Sequence, residues 1–469
     1  MKPDSTGLVN FIDEEKVWAT VNSAANADSS RIMDILDKAS ELKGLSLEET
    51  AVLLQVEDPE LNEAVFETAR KVKQGIYGNR MVLFAPLYIT NECGNRCAYC
   101  GFKASNKELQ RRTLTAEELQ QEVLALENQG HKRLLLVYGE HPKFGADWIA
   151  ETVRTVYDTV SEKSGEIRRV NINCAPLDTA GFRKLHEVGI GTYQCFQETY
   201  HRKTYAELHP GGHKKDILWR LHAMHRAMEA GIDDVGMGTL LGLYDYRFDT
   251  IAMLSHAAEL ESRFGVGPHT LSFPRLEPAL NADIAFNPPY PITDGQFKRL
   301  VAVLRLSVPY TGLILSTREG RNMRRELLDC GVSQLSAGSR TYPGAYSDPD
   351  YDRPDVQQFC IGDNRNLEEV ITEIVGHGYV PSWCTACYRA GRTGEDFMNL
   401  AKTGFIQKFC HPNALLTFKE YLLDYAHSET RAKGCSFIES ELDRISTQLR
   451  DSVSDRLNRI EHGERDLYF

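Results

Sequence analysis

Nothing in this sequence approaches the roughly 18 uninterrupted apolar residues of a membrane-crossing helix, and no block of basic side chains stands out. The 54 Lys and Arg residues are outnumbered by 66 Asp and Glu, a net charge of −12. That acidic balance argues against nucleic acid or an anionic membrane as a partner. Residues 1–14 are acidic and polar and lack the apolar run of a signal peptide, and no internal repeat or low-complexity tract is visible. The expectation is a soluble protein of the cytoplasm. Its 469 residues are enough for one large domain with smaller additions.

Cysteine is not scarce. Eleven are present, an odd number that would leave a thiol unpaired in an oxidising compartment. Six form two triads, Cys93/Cys97/Cys100 and Cys384/Cys387/Cys410. The other five (Cys174, Cys195, Cys330, Cys360 and Cys435) are scattered and read as small buried side chains.

The first triad lies in Cys93-Gly-Asn-Arg-Cys97-Ala-Tyr-Cys100-Gly-Phe102, directly after the apolar, β-branched run 82–90. Soft thiolates at C-x3-C-x2-C spacing let one short loop reach three corners of an iron–sulfur cube. Three thiolates leave one iron of a four-iron cube open, whereas an electron-carrying cluster fills all four corners. Zinc is the competing reading, although it asks for a fourth Cys or His nearby. The loop resembles that of the radical S-adenosylmethionine (SAM) superfamily, with Tyr99 at the aromatic position before the last cysteine. The resemblance implies a 4Fe-4S cluster whose open iron chelates SAM, and reductive cleavage of SAM to a 5′-deoxyadenosyl radical.

Along the chain, residues 1–80 read as a helical lead-in. It includes a capping box at Ser46-Leu-Glu-Glu49 and further helix over 62–73. From 81 to 345 strands alternate with helices. The strands are expected at 82–89, 133–139, 167–174, 191–196, 234–241, 269–275, 312–317 and 333–337. Helices are expected at 115–128, 146–162, 215–230, 249–264, 294–306 and 319–329. Such alternation implies a parallel sheet, and eight units fit a closed (β/α)8 barrel of TIM type, a six-stranded open barrel being the alternative. The segment 346–469, which opens with a polar linker at 347–354, reads as a helical iron–sulfur domain, with helices at 367–376, 418–426 and 440–457.

Parallel barrels gather their functional groups at the C-terminal ends of strands. Tyr138-Gly139-Glu140 ends the second expected strand and looks like the superfamily's Gly-Gly-Glu motif, with Tyr in place of the first Gly. The resemblance implies that Gly139 and Glu140 meet the SAM amino group, and that Glu198 and Arg220 hold its ribose and carboxylate. A surface ion pair is the bland alternative for those two. Gly236-x-Gly238 with Gly242 would let a ligand approach the fifth strand closely. Arg275 and Arg318 end the sixth and seventh strands and Ser336 lies on the eighth. Two guanidinium forks converging on a cavity suggest a carboxylate, most simply that of an amino acid, against the alternative of rim ion pairs.

The second triad has C-x2-C-x22-C spacing, and His411 after Cys410 raises a zinc Cys3His site as a rival. Adjacent residues rarely aim at one metal. The block Cys384-Thr-Ala-Cys387-Tyr-Arg-Ala-Gly-Arg-Thr-Gly394, both triads and the chain length together resemble the tyrosine lyases of iron-only hydrogenase maturation. That family implies cleavage of L-tyrosine at Cα–Cβ to p-cresol and dehydroglycine, then formation of carbon monoxide and cyanide. It also implies a second 4Fe-4S cluster carrying a labile iron with cysteine. His269, expected to begin its strand and face the lower mouth, is the candidate ligand of that iron, with a buried structural histidine as the alternative. A ferredoxin- or flavodoxin-type reductant and other hydrogenase maturation proteins are the implied partners. Thiazole-pathway lyases share the barrel but are shorter at the C-terminus. A non-catalytic iron–sulfur scaffold is the reading from a different class.

Overall fold

The computed structural model describes residues 3–162, 165–348, 353, 355–402 and 404–469. Nine strands form one parallel sheet: β1 (Arg80–Thr90), β2 (Arg133–Tyr138), β3 (Arg169–Asn173), β4 (Tyr193–Glu198), β5 (Val235–Thr239), β6 (Thr270–Ser272), β7 (Gly312–Leu315), β8 (Gln334–Ser336) and β9 (Val380–Ser382). Each of the eight strands expected from sequence is present. Consecutive strands pair from β2 to β8, and β1 closes the ring by pairing with both β8 and β2. The result is an eight-stranded TIM-type barrel. Its strands are buried almost throughout, as parallel strands covered by helices must be.

The sheet gains β9 from the part read as helical. It pairs with β1 alone, Arg80 to Val380 through Val82 to Ser382. Pro381, its central residue, has no N–H to donate, which suits a strand paired on one side and hides it from sequence reading. Cys384 follows two residues later. Through β9 the second triad is fastened to the N-terminal end of the barrel.

Capping chemistry delimits the helices as expected. The helices Leu47–Leu53 and Ala116–Asn128 open with complete capping boxes at Ser46/Glu49 and Thr115/Glu118. Elsewhere the expected bounds move. The single helix expected over 215–230 is two, Ile217–Leu221 and Ala223–Glu229, preceded by a 3-10 turn. That expected over 440–457 is also two, Ser428–Leu442 and Thr447–Glu461. The helix read from 418 begins at Gln407 and carries Pro412 inside it. Most of the expected 347–354 linker lies outside the described residues. One hydrophobic core joins the N-terminal helices, the barrel and the C-terminal helices. Two of the scattered cysteines depart from expectation: Cys360 is exposed and Cys435 half-buried, while Cys174, Cys195 and Cys330 are buried.

Candidate functional site

At the C-terminal ends of the strands lies a cavity of about 210 Å³. Its wall includes all three thiols of the first triad, together with Tyr99, Gly139, Glu140, Glu198, Arg220, Arg318 and Ser336. The loop that carries the thiols is tied down from two sides. Gly94 N–H donates to the Glu140 carbonyl, and Arg96 and Ala98 N–H donate to the carbonyls of Gly211 and Leu208. Asn95 joins the two sides: its Nδ2 donates to Glu140 Oε2 at 2.6 Å and its Oδ1 accepts from Lys214 N–H at 3.0 Å. Two glycines make this approach possible. A Cβ on Gly139 would stand 2.3 Å from the Glu92 carbonyl oxygen, and one on Gly212, at φ 86°, 2.3 Å from Asn95 Oδ1.

Beside the thiols sits a buried quartet of charges. Arg220 NH1 donates to Glu140 Oε1 at 2.8 Å and its Nε to the Phe196 carbonyl at 2.6 Å. Lys214 Nζ donates to Glu198 Oε1 at 2.5 Å, and Arg220 stands 3.9 Å from the same oxygen. Glu198 ends β4 at φ 70°, a left-handed conformation unusual for a residue with a side chain, where the β4–β5 register slips. Burial pushes the Glu140 carboxyl up, but Arg220 and Lys214 outweigh it and hold it down at about 2. Burial and Arg220 oppose the charge on Lys214, yet Glu198, Cys97 and Glu140 keep it above its ordinary value. These pairs are buried, not at the surface. Tyr99 is also engaged, its hydroxyl sharing a 2.8 Å hydrogen bond with His209 Nε2.

Arg318 enters the cavity with its guanidinium 3.3 Å from the centre of the Phe359 ring, and burial lowers it from its ordinary value. No hydrogen bond or ion pair engages that guanidinium among the described residues. Arg275 is placed differently. It pairs with Glu319, with Asp294 Oδ1 at 2.7 Å and with the face of Phe297, and it is absent from the cavity wall. That is the geometry of a rim ion pair, and the residue it presents to the cavity is Glu319. Ser336 Oγ accepts the Thr317 N–H at 3.1 Å.

The N-terminal ends of the strands enclose a second cavity, of about 40 Å³. Cys384, Cys387 and Cys410 line it together with His269, Tyr388, Arg80 and Arg133. The hydrogen bond from Cys387 holds the Cys410 thiol below its ordinary value, helped by Arg80, Arg392 and Arg133 against the opposing effect of burial. His269 Nε2 shares a 3.0 Å hydrogen bond with the Tyr388 hydroxyl, and Nδ1 lies 3.4 Å from Asp234 Oδ1. His411 turns instead towards Glu441, 3.3 Å from its Oε2. Among the described residues no three His, Cys, Asp or Glu side chains close to the geometry of a single-ion site.

The radical SAM superfamily profile matches residues 87–256, and that of the biotin and thiamin synthesis associated domain matches 272–380. The 2-iminoacetate synthase of Salmonella typhimurium strain LT2 is 32% identical over 350 residues, 74% of this chain and 89% of that protein. A crystal structure of HydG, a maturase of the [FeFe]-hydrogenase, is 51% identical with a TM-score of 0.95, covering 98% of this chain and all of the other. The chain belongs to the HydG family. HydG from Carboxydothermus hydrogenoformans is 40% identical with a TM-score of 0.82, over 95% of this chain and 97% of its own.

Membership makes the chain a radical SAM enzyme, and this superfamily works with a 4Fe-4S cluster and SAM. The upper residues fit that pair. Three thiols, none in a disulfide, share one cavity wall, and burial pushes Cys93 up to about 12 and Cys97 and Cys100 upward as well. A thiolate there needs the positive charge that iron supplies. The quartet offers carboxylates and cations to a zwitterionic, cationic ligand. Two residues at this site escaped the sequence reading. Lys214 follows Gly211-Gly212, a turn signal that gives no reason to place its side chain indoors. Phe359 reaches Arg318 from 41 residues further along the chain.

Proposed function

We propose that this HydG-family enzyme cleaves L-tyrosine at Cα–Cβ to p-cresol and dehydroglycine, and converts the latter to carbon monoxide and cyanide for assembly of the hydrogenase active site. The observation that carries the reading is the match to HydG over 98% of the chain, against the 74% shared with the 2-iminoacetate synthase. When bound at the upper cavity, the cluster and SAM would supply the radical chemistry for hydrogen abstraction from the tyrosine amino group.

This chain's residues do the holding. Cys93, Cys97 and Cys100 hold the upper cluster. Tyr99, Gly139, Glu140, Glu198 and Arg220 shape the SAM site, and the buried charge of Lys214 completes it. Arg318, with no carboxylate of its own, takes that of tyrosine, and Ser336 lies on the same wall. The apolar lining of Phe196, Leu240, Phe273 and Ile314 excludes water around the substrate. At the lower cavity Cys384, Cys387 and Cys410 hold an auxiliary 4Fe-4S cluster, and His269 holds a labile iron that carries cysteine. Tyr388 must release His269 Nε2 for that role. Electrons come from a ferredoxin- or flavodoxin-type partner, and the product passes to other maturation proteins in the cytoplasm.

Anaerobic reconstitution with SAM, dithionite and tyrosine tests the reading. Deoxyadenosine together with p-cresol is expected, and infrared bands of iron-bound carbonyl should follow. p-Cresol without carbonyl bands would move the chain to the 2-iminoacetate synthase reading, and neither product would leave only a scaffold.

A further inference from the structure

Beyond β8, Thr341, Gln358 and Phe359 join the wall of the upper cavity. Gln358 meets the cluster loop directly. Gly101, directly after Cys100, donates its N–H to the Gln358 carbonyl at 3.2 Å. A Cβ on Gly101 would stand 2.9 Å from that oxygen and 3.0 Å from the Gln357 carbonyl, so the close approach depends on glycine. Above this contact the Gln358 side chain is held at both ends. Nε2 donates to Cys100 Sγ at 3.7 Å, and Oε1 accepts from the Tyr88 hydroxyl at 2.7 Å. Tyr88 is itself fixed, buried on β1 and edge-on to Phe102 at 5.9 Å.

We propose that Gln358 is a positioning residue of the radical chemistry, donating an N–H to the Cys100 sulfur so as to raise the reduction potential of the upper cluster, with Tyr88 setting the amide's direction. An iron-bound thiolate can only accept. The amide therefore turns its N–H to the sulfur and leaves its oxygen for the tyrosine hydroxyl. Reduction adds negative charge that spreads onto the sulfurs, and a donor at sulfur stabilises the reduced state more than the oxidised one. A cluster that must be reduced before it can act on SAM gains from such a donor. The inference rests on the cluster that family membership implies, and not on which substrate is cleaved.

The test is a redox titration of the reconstituted full-length enzyme, following the electron paramagnetic resonance signal that changes on adding SAM. In Gln358→Leu the ratio of reduced to oxidised cluster at a fixed potential should fall about tenfold. For a one-electron couple that corresponds to about 59 mV lower. Iron and sulfide content should be unchanged, which separates tuning from loss of the site. Tyr88→Phe, which keeps the amide but frees its direction, should shift the midpoint the same way by less, and it carries the test alone if Gln358→Leu fails to load iron. A midpoint unmoved in every variant that loads would overturn the proposal. So would an equal shift of a signal that does not respond to SAM. Loss of p-cresol with an unmoved midpoint would assign Gln358 to substrate placement instead.

Discussion

Into the barrel mouth the seventh strand's loop carries a guanidinium that stacks on Phe359 and meets no carboxylate among the described residues. A half-buried guanidinium in that condition is free to take a ligand's carboxylate. Arg318→Ala is therefore expected to weaken tyrosine binding while slow, uncoupled SAM cleavage continues. A lost charge-assisted pair is worth about 1.5–3 kcal/mol, roughly ten- to a hundredfold in affinity. Unchanged tyrosine affinity would return Arg318 to a packing role. The first triad behaves differently: Ala at Cys93, Cys97 or Cys100 should abolish deoxyadenosine formation, because the open iron is no longer held. Lys214 is where sequence reading fell short. Glu140, Glu198 and Arg220 were legible as candidates, but the second cation that balances the two carboxylates sits in a three-residue 3-10 turn too short to show periodicity. Lys214→Met should cost about 3–5 kcal/mol of stability in denaturant unfolding, since it leaves buried carboxylates short of a partner. It should also weaken SAM binding in a direct titration.

Strands and cysteine loops announced themselves because their signals are local. Each barrel strand is a short apolar run followed by a turn and an amphipathic helix, and the first triad and the Cys384/Cys387 pair each lie within one or two turns of chain, only Cys410 standing apart. Contacts between distant loops leave no such trace. Gln358 reaches Cys100 across 258 positions, and Pro381 disguises β9. Pro412 likewise reads as a boundary and is carried inside a helix. Gly139 stands between these cases. The motif marks it as a SAM contact, while the structure adds that its missing side chain lets β2 pass the start of the cluster loop. Gly139→Ala is accordingly expected to lower iron content of the reconstituted protein as well as SAM affinity. Full iron loading in that variant would confine the glycine to the SAM contact.

Across the whole molecule, one barrel separates two sets of thiols. β2 contributes Arg133 to the lower cavity and Val137 and Tyr138 to the upper, and a six-residue strand rises on the order of 20 Å. The two linings nevertheless approach each other on β1, where Val82 is lower and Phe84 upper, and on β8, where Gln334 is lower and Ser336 upper. Between them the barrel is filled by side chains in the manner of its fold class, several of them polar, such as Gln194 and Thr270 packed against Gly236. A small fragment made above therefore has little thickness of protein to cross. No described residue that lines the upper cavity also lines the lower one. Replacing Cys384, Cys387 and Cys410 together, or His269 by Ala, should leave p-cresol formation within about twofold of the parent, a barrier change under about 0.5 kcal/mol. The same variants should lose the iron-bound carbonyl bands, because the metal that would carry those ligands has no holder. Tyr388→Phe should do the opposite to His269→Ala. Freed of the phenol hydroxyl, Nε2 is open to iron, and carbonyl bands should appear at lower added iron than in the parent. If loss of the lower thiols stopped tyrosine cleavage as completely as loss of the upper ones, the two ends of the barrel would not be separate sites but one.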